Sequence, residues 1–155
     1  MMKRLIFCLL MISCLGLGSL SALPSGTEVL QGALDSATVG AEMQMTVSDG
    51  AVLRHNSFDL SSGETVRFIQ PSSSARVLNQ ISGSAPSSIN GSLIANGSVY
   101  LVNPAGIIFG SGSVIDVGRL YSIAGTMSSE DFQSGVDRFS DLRGAVRNAG
   151  KLSAN

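Results

Sequence analysis

The sequence predicts an all-β chain wound as a solenoid, and three observations point there. The first is composition. Glycine is frequent at 18 residues, charge is low at 14% and aromatic residues are scarce at 5%. No long helix-forming run occurs, and Val, Leu and Ile set among Gly, Ser and Asn make short strands separated by turns. The second is repetition. Gly91-Ser92-Leu93-Ile94-Ala95-Asn96 and Gly150-Lys151-Leu152-Ser153-Ala154-Asn155 share the pattern G-x-L-x-A-N, and Gly112-Ser113-Val114-Ile115-Asp116 is a looser copy 21 residues after the first. The step from 112 to 150 is 38 residues, close to two more of the same size. A period of about 20 residues made of short strands and Gly/Asn turns marks a β-solenoid, whose coils stack because none can bury its apolar face alone. The third is the stretch 93–110, two apolar arms broken by Asn103-Pro104-Ala105-Gly106. Asn at the first position, Pro at the second and Gly at the fourth favour a type I turn. Pro104 cannot sit inside a central ladder, so two buried strands meet here at a stiff corner.

Residues 1–22 read as a secretory signal peptide. Lys3 and Arg4 form a positive start, residues 5–20 are almost wholly apolar, and Ser19-Leu20-Ser21 puts small residues where the peptidase needs them, with cleavage after Ser21 or Ala22. The run is too short and wrongly flanked for a membrane span. A lipoprotein signal modified at Cys14 is the weaker rival, because Met11 and Ile12 are poor lead-in residues. Residues 23–155 then form one domain. Both cysteines, Cys8 and Cys14, leave with the signal, and the net charge moves from −1 to −3 with the loss of Lys3 and Arg4. Such a domain is held by packing rather than disulfides. The remaining bases are scattered and outnumbered by acids, which argues against a nucleic-acid partner. A chain without cysteine also suits passage unfolded through a second membrane.

Residues 39–47 alternate as one half-buried strand, with Ala41, Met43, Met45 and Val47 on one face. Asp49-Gly50 is a turn, and residues 51–58 form a second strand. Residues 64–69 form a third, with Val66 and Phe68 inward. Residues 76–81 form a fourth, followed by a Gly-Ser-Pro loop. Ser128 is placed as a helix N-cap with Asp131 three residues on, and Phe132, Val136 and Phe139 follow at helical spacing, so a short helix or ordered loop packed on the side of the solenoid is expected, with Gly135 weakening it. The last repeat copy stops at Asn155 in mid-rung. That leaves an open sheet edge, so the natural protein is expected to continue or the gene product to be truncated.

Several long segments together resemble the haemagglutination-activity domain, the N-terminal secretion domain of filamentous-haemagglutinin-type exoproteins. They are residues 78–83, 88–97 and 99–110, with Phe58, Val66-Arg67-Phe68 and Gln70-Pro71 upstream and Asp131-Phe132, Gly135 and Phe139 downstream. The resemblance covers about 35–155. It implies a right-handed parallel β-helix with extra-helical strands capping its N-terminal end. It also implies export by two-partner secretion in a Gram-negative bacterium, through recognition by the periplasmic domains of an outer-membrane transporter and folding at the cell surface. Asn79 fits the family's first Asn-containing motif, and Asn103, Pro104, Gly106 and Ile107 fit its second. Ala105 stands where the family commonly has Asn, and His55 stands near a common Trp, which suggests a less tightly packed cover.

The resemblance leaves two roles open for Asn79 and Asn103. They satisfy buried turn groups, so that any effect on secretion acts through folding, or they are read directly by the transporter. The sequons at Asn90 and Asn96 fall on rung corners where Asn-Gly is needed for turning. His55, Ser57 and Asp59 alternate along one strand face and read as a polar outer surface. A hydrolytic triad draws on separate elements, and no G-x-S-x-G elbow occurs. Asp35, Asp49, Asp59 and Asp116 could serve a carbohydrate-active solenoid only by converging, and scattered solvated charges are the simpler reading. One histidine and no mature cysteine offer no metal set, and no cofactor is expected. The expected function is therefore non-enzymatic: transporter recognition and nucleation of β-helix folding. The alternatives are a small carbohydrate-active enzyme and an adhesive fragment binding a host glycan or receptor.

Overall fold

A computed structural model describes residues 21–155; the signal-peptide reading falls almost entirely on residues outside these. The chain winds into a parallel β-helix of about four turns with three sheets. β3 (Glu42–Val47) and β4 (Ala51–His55) begin it; β5 (Thr65–Ile69), β6 (Arg76–Ile81) and β7 (Ser87–Ile89) make the next rung. β8 (Ser92–Ala95), β9 (Ser98–Val102) and β10 (Ile107–Phe109) follow, then β11 (Val114–Val117), β12 (Arg119–Ile123) and β13 (Val146–Asn148). β14 (Lys151–Ala154) starts one more. Each strand lies parallel on its counterpart one rung back, as Leu78 on Val52 and Tyr100 on Leu78.

Two strands stand outside the helical path and close its N-terminal end, as the resemblance implies. β1 (Glu28–Gln31) pairs antiparallel with β4, and β2 (Leu34–Val39) pairs antiparallel with β3. Residues 39–47 are therefore not one strand. The chain turns at Gly40-Ala41, and Val39 sits 80% exposed at the end of the cap. From Glu42 on the expected alternation holds: Met45 and Val47 are buried and Gln44 and Thr46 are not. The second strand ends at His55 rather than running to Phe58.

The repeat spacing also needs correcting. Val114 pairs with Ser92, 22 residues back, but Lys151 pairs directly with Val114. The 38-residue step is thus a single rung, lengthened by an excursion between β12 and β13. That excursion carries α1 (Ser129–Gln133). Ser128 caps it, its hydroxyl accepting from the Asp131 N–H at 3.0 Å and donating to the Asp131 carboxylate at 2.8 Å. Gly135 and Val136 end it by donating to the carbonyls of Phe132 and Asp131, the paired bonds of a Schellman turn. Gly135 is a terminator, and Val136 lies beyond the helix, 42% exposed.

The excursion explains why β9, within the sheet β1-β4-β6-β9-β12, is buried on both faces at all five positions. One face fills the solenoid interior with Leu53, Val77, Val99 and Leu101. The other carries Val52, Leu78, Tyr100 and Val102, and Met127 and Phe132 of the excursion cover it. Tyr100 stacks on Tyr121 with ring centroids 4.0 Å apart and meets Phe132 edge-on at 5.2 Å. The Arg76 guanidinium lies over the Phe132 ring, 4.7 Å from its centre. Burial, then the bonds to Tyr121 and Asp137, push the Tyr100 hydroxyl to a higher pKa, so it stays a donor to Asp137.

Candidate functional site

The two predicted asparagines are both fully buried, and each closes a separate network. Asn79 lies in an interior column between Leu53 and Leu101 of the adjoining rungs. Its Nδ2 donates to the Tyr100 carbonyl at 3.1 Å. A carbonyl only accepts, so the amide orientation is fixed and Oδ1 faces His55 Nε2, 3.0 Å away. Nε2 must then carry the proton. Nδ1 is bare and accepts from the Thr27 hydroxyl at 2.9 Å. The result is a directed relay, Thr27 to His55 to Asn79 to Tyr100, that ties the N-terminal cap to the first three rungs. Burial lowers the His55 pKa to about 4, only partly opposed by its bond to Asn79, so the imidazole is neutral at physiological pH.

His55 is not part of the polar outer face that its alternation with Ser57 and Asp59 suggests, but faces inward. It alternates inward with Ala51 and Leu53, is fully buried, and meets the Phe58 ring edge-on at 5.3 Å. The cover at this position is closed rather than loose. Because β4 ends at His55, Ser57 and Asp59 leave its face. Ser57 bonds the Ser25 hydroxyl, and Asp59 accepts from the Ser88 N–H at 2.7 Å. Asp49 likewise accepts from the Arg76 N–H at 2.9 Å, so these carboxylates bind backbone of the following rung. Among the described residues no three His, Asp or Glu side chains gather as metal ligands do.

Asn103 organises the corner. Its Oδ1 accepts from the Ala105 N–H at 2.9 Å and its carbonyl from the Gly106 N–H at 3.0 Å, closing the turn. Ala105 does not have positive φ, which is what a type I turn asks of it. Asn103 Nδ2 reaches back one rung to the Ala85 carbonyl at 3.1 Å and the Ser87 hydroxyl at 3.0 Å. Pro104 and Ala105 stay partly exposed at the rim, while Gly106 and Ile107 are buried. Gly106 has φ +118, and a Cβ there would come within 2.9 Å of the Ala145 carbonyl of the next rung. Its carbonyl accepts from Ser87 N–H, and Ile107 N–H donates to Ala145, both at 3.0 Å. Asn103, Pro104, Gly106 and Ile107 therefore form one stacked corner joining three rungs, and Asn79 stands apart from it.

A second corner escaped the sequence reading. Gln70 and Asn96 exchange bonds, the Gln70 N–H to Asn96 Oδ1 and Asn96 Nδ2 to the Gln70 carbonyl, both at 2.8 Å. The Gln70 side chain also accepts from Gly97 N–H and donates to the Ala75 and Ser98 carbonyls. The signal was a Gln directly before Pro71 at a strand end, where a polar residue has a corner to satisfy. Asn96 thus sits on a corner, as its place in the repeat suggested, and its side chain binds the rung before it.

Comparison with known proteins gives the same fold. The profile of the TPS secretion domain family matches residues 21–155. The heme/hemopexin-binding protein of Haemophilus influenzae is 35% identical over 101 residues, a span of 64% of this chain and 11% of that protein. A second Haemophilus influenzae heme/hemopexin-binding protein is 42% identical over 73 residues, 47% of this chain and 8% of that protein. The chain spans about a tenth of the length of these curated relatives. The HMW1 secretion domain from Haemophilus influenzae matches with a TM-score of 0.80 over 82% of this chain and 35% of that one, at 24% identity.

Proposed function

Because the chain belongs to the family of TPS secretion domains, we propose that it is captured unfolded by the periplasmic domains of its outer-membrane transporter and then nucleates β-helix folding at the cell surface. Chains of this family are two-partner secretion substrates, secreted across the outer membrane of Gram-negative bacteria, and the family is not one of enzymes. The observation that carries the proposal is the burial of both motif asparagines: Asn79 and Asn103 have no exposed surface once the solenoid is formed. A transporter contact with them requires the unfolded chain. In the folded chain their work is to satisfy backbone of neighbouring rungs. Recognition would use backbone edges of extended segments, and the asparagines would act afterwards, by making the first rungs close. What supports nucleation is the cap: β1 pairs with β4 and β2 with β3, so the first rung has partners before the next is laid on it.

Binding of the urea-unfolded chain to the transporter's isolated periplasmic domains, measured on dilution, tests the division of labour. Asn79→Leu and Asn103→Ala are expected to bind within about twofold of the natural chain and to refold poorly, since each leaves buried partners unsatisfied. A tenfold loss of capture with normal refolding would show that the transporter reads the asparagines themselves.

A further inference from the structure

We propose that export processing cuts between Ser21 and Ala22, and that the new α-ammonium of Ala22 locks onto the buried carboxylate of Glu64, so that removal of the signal completes the N-terminal cap. The inference rests on the apolar N-terminal stretch being a cleaved export signal, and it adds the position of the cut and the use made of its product.

Glu64 is only 8% exposed. Among the described residues no Lys, Arg or His side chain pairs with it. A carboxylate in such a place needs donors or a cation. It has donors: the Ser61 N–H at 2.8 Å, and the Ala22 nitrogen, which lies 3.0 Å from one carboxylate oxygen and 3.2 Å from the other. A backbone amide has one proton to share between those two oxygens. An ammonium has three, and a position nearly equidistant from both oxygens is where it binds best. The chain past this point is fixed at once. Leu23 packs on the interior cluster, Pro24 is buried, and Ser25 exchanges backbone bonds with Ser57 and Asn56. On the other side the surface is open, a groove lined by Ser21, Gly40, Ala41, Ser62 and Gly63 beside the carboxylate. Water can reach the remaining ammonium protons there once Ser21 is gone.

The sequence alone allowed cleavage after Ser21 or after Ala22. Cutting after Ser21 leaves small Ser19 and Ser21 at the two selective positions, whereas cutting after Ala22 puts Leu20 at one of them and discards the nitrogen that Glu64 holds. The chemistry balances with water as the co-reactant. Its hydroxyl adds to the Ser21 carbonyl carbon, the Ser21–Ala22 C–N bond breaks, and Ala22 nitrogen takes a proton as the amine leaves and a second from solvent.

Two measurements test this. The chain with its own leader is produced in a Gram-negative host and the intact mass of the processed protein is read from the periplasm; it should correspond to residues 22–155. An uncut leader, or any first residue other than Ala22, overturns the proposal. Purified chains 22–155 and 21–155 are then unfolded in urea, each with Glu64 and with Glu64→Gln. The single-residue extension should lower the folded-to-unfolded ratio roughly fivefold to thirtyfold, an ordinary range for a perturbation of this kind, and should have little effect in the Glu64→Gln background. An extension that costs nothing, or costs the same in both backgrounds, overturns the ion pair. Neither measurement involves the transporter, so failure of the export proposal leaves both readable.

Discussion

Asn79 occupies a place that Leu53 and Leu101 fill with hydrocarbon on the rungs either side. An asparagine there stabilises only if every bond is made, and the relay from Thr27 to the Tyr100 carbonyl makes them. Asn79→Leu should therefore cost roughly 2–4 kcal/mol in urea unfolding, because His55 Nε2–H and the Tyr100 carbonyl each lose a buried partner at about 1–3 kcal/mol. His55→Phe combined with Asn79→Leu should cost clearly less than the two single changes added together. His55 also sets a pH response. The folded chain refuses its proton down to about pH 4, while the unfolded chain accepts it near 6.5. Unfolding therefore takes up a proton between those values, so stability is complete above pH 6.5 and falls as pH drops toward 4. The whole window is worth on the order of 3 kcal/mol. Arg67 and then Gln44 hold Glu42 below its ordinary 4.5. Its contribution is present above 4.5 and lost only below that, at or beyond the acid end of the window set by His55. Urea midpoints at pH 7 and pH 5 should differ for the natural chain and not for His55→Phe. The motif positions Asn79 and Asn103 were legible in the sequence. The role of His55 was not, since alternation through residues 55, 57 and 59 assumes a strand that stops at the first of them.

The strands themselves were largely visible. β6 spans residues 76–81 as alternation and flanking turns predict, and Val66 and Phe68 face inward on β5. What residue counting could not show was the path between strands. Gly112 to Gly150 contains one rung because the chain leaves the solenoid, lays Phe132 on the outer face of a sheet, and returns at Ala145. Spacing measures chain length, whereas rungs are set by pairing. The capping signal at Ser128 was local and correctly placed; the site it serves is tertiary. Phe132→Ala should cost about 3–5 kcal/mol, as for other fully buried aromatics, and Ser128→Ala about 1 kcal/mol, both read from denaturant midpoints. Gly106→Ala should destabilise by at least about 1 kcal/mol, since it meets both the positive φ and the Ala145 carbonyl. That loss should fall on the third and fourth rungs, where hydrogen exchange at Ile107 and Ala145 would quicken first.

At the scale of the molecule the parts have a direction. The N-terminal end is closed by β1, β2 and Leu23. Every polar network described joins one rung to a neighbour, so closing the first rung prepares the place of the second. On the function proposed above, the chain is threaded unfolded and folds as it emerges, with the capped end as the seed. The deciding measurement is export itself: the chain with its leader, produced with and without its cognate outer-membrane transporter, and assayed by protease protection in medium and periplasm. The account predicts protease-resistant chain in the medium only when the transporter is present, and loss of that resistant fraction, with capture retained, for Asn103→Ala. Chain retained in the periplasm whether or not the transporter is made would contradict it.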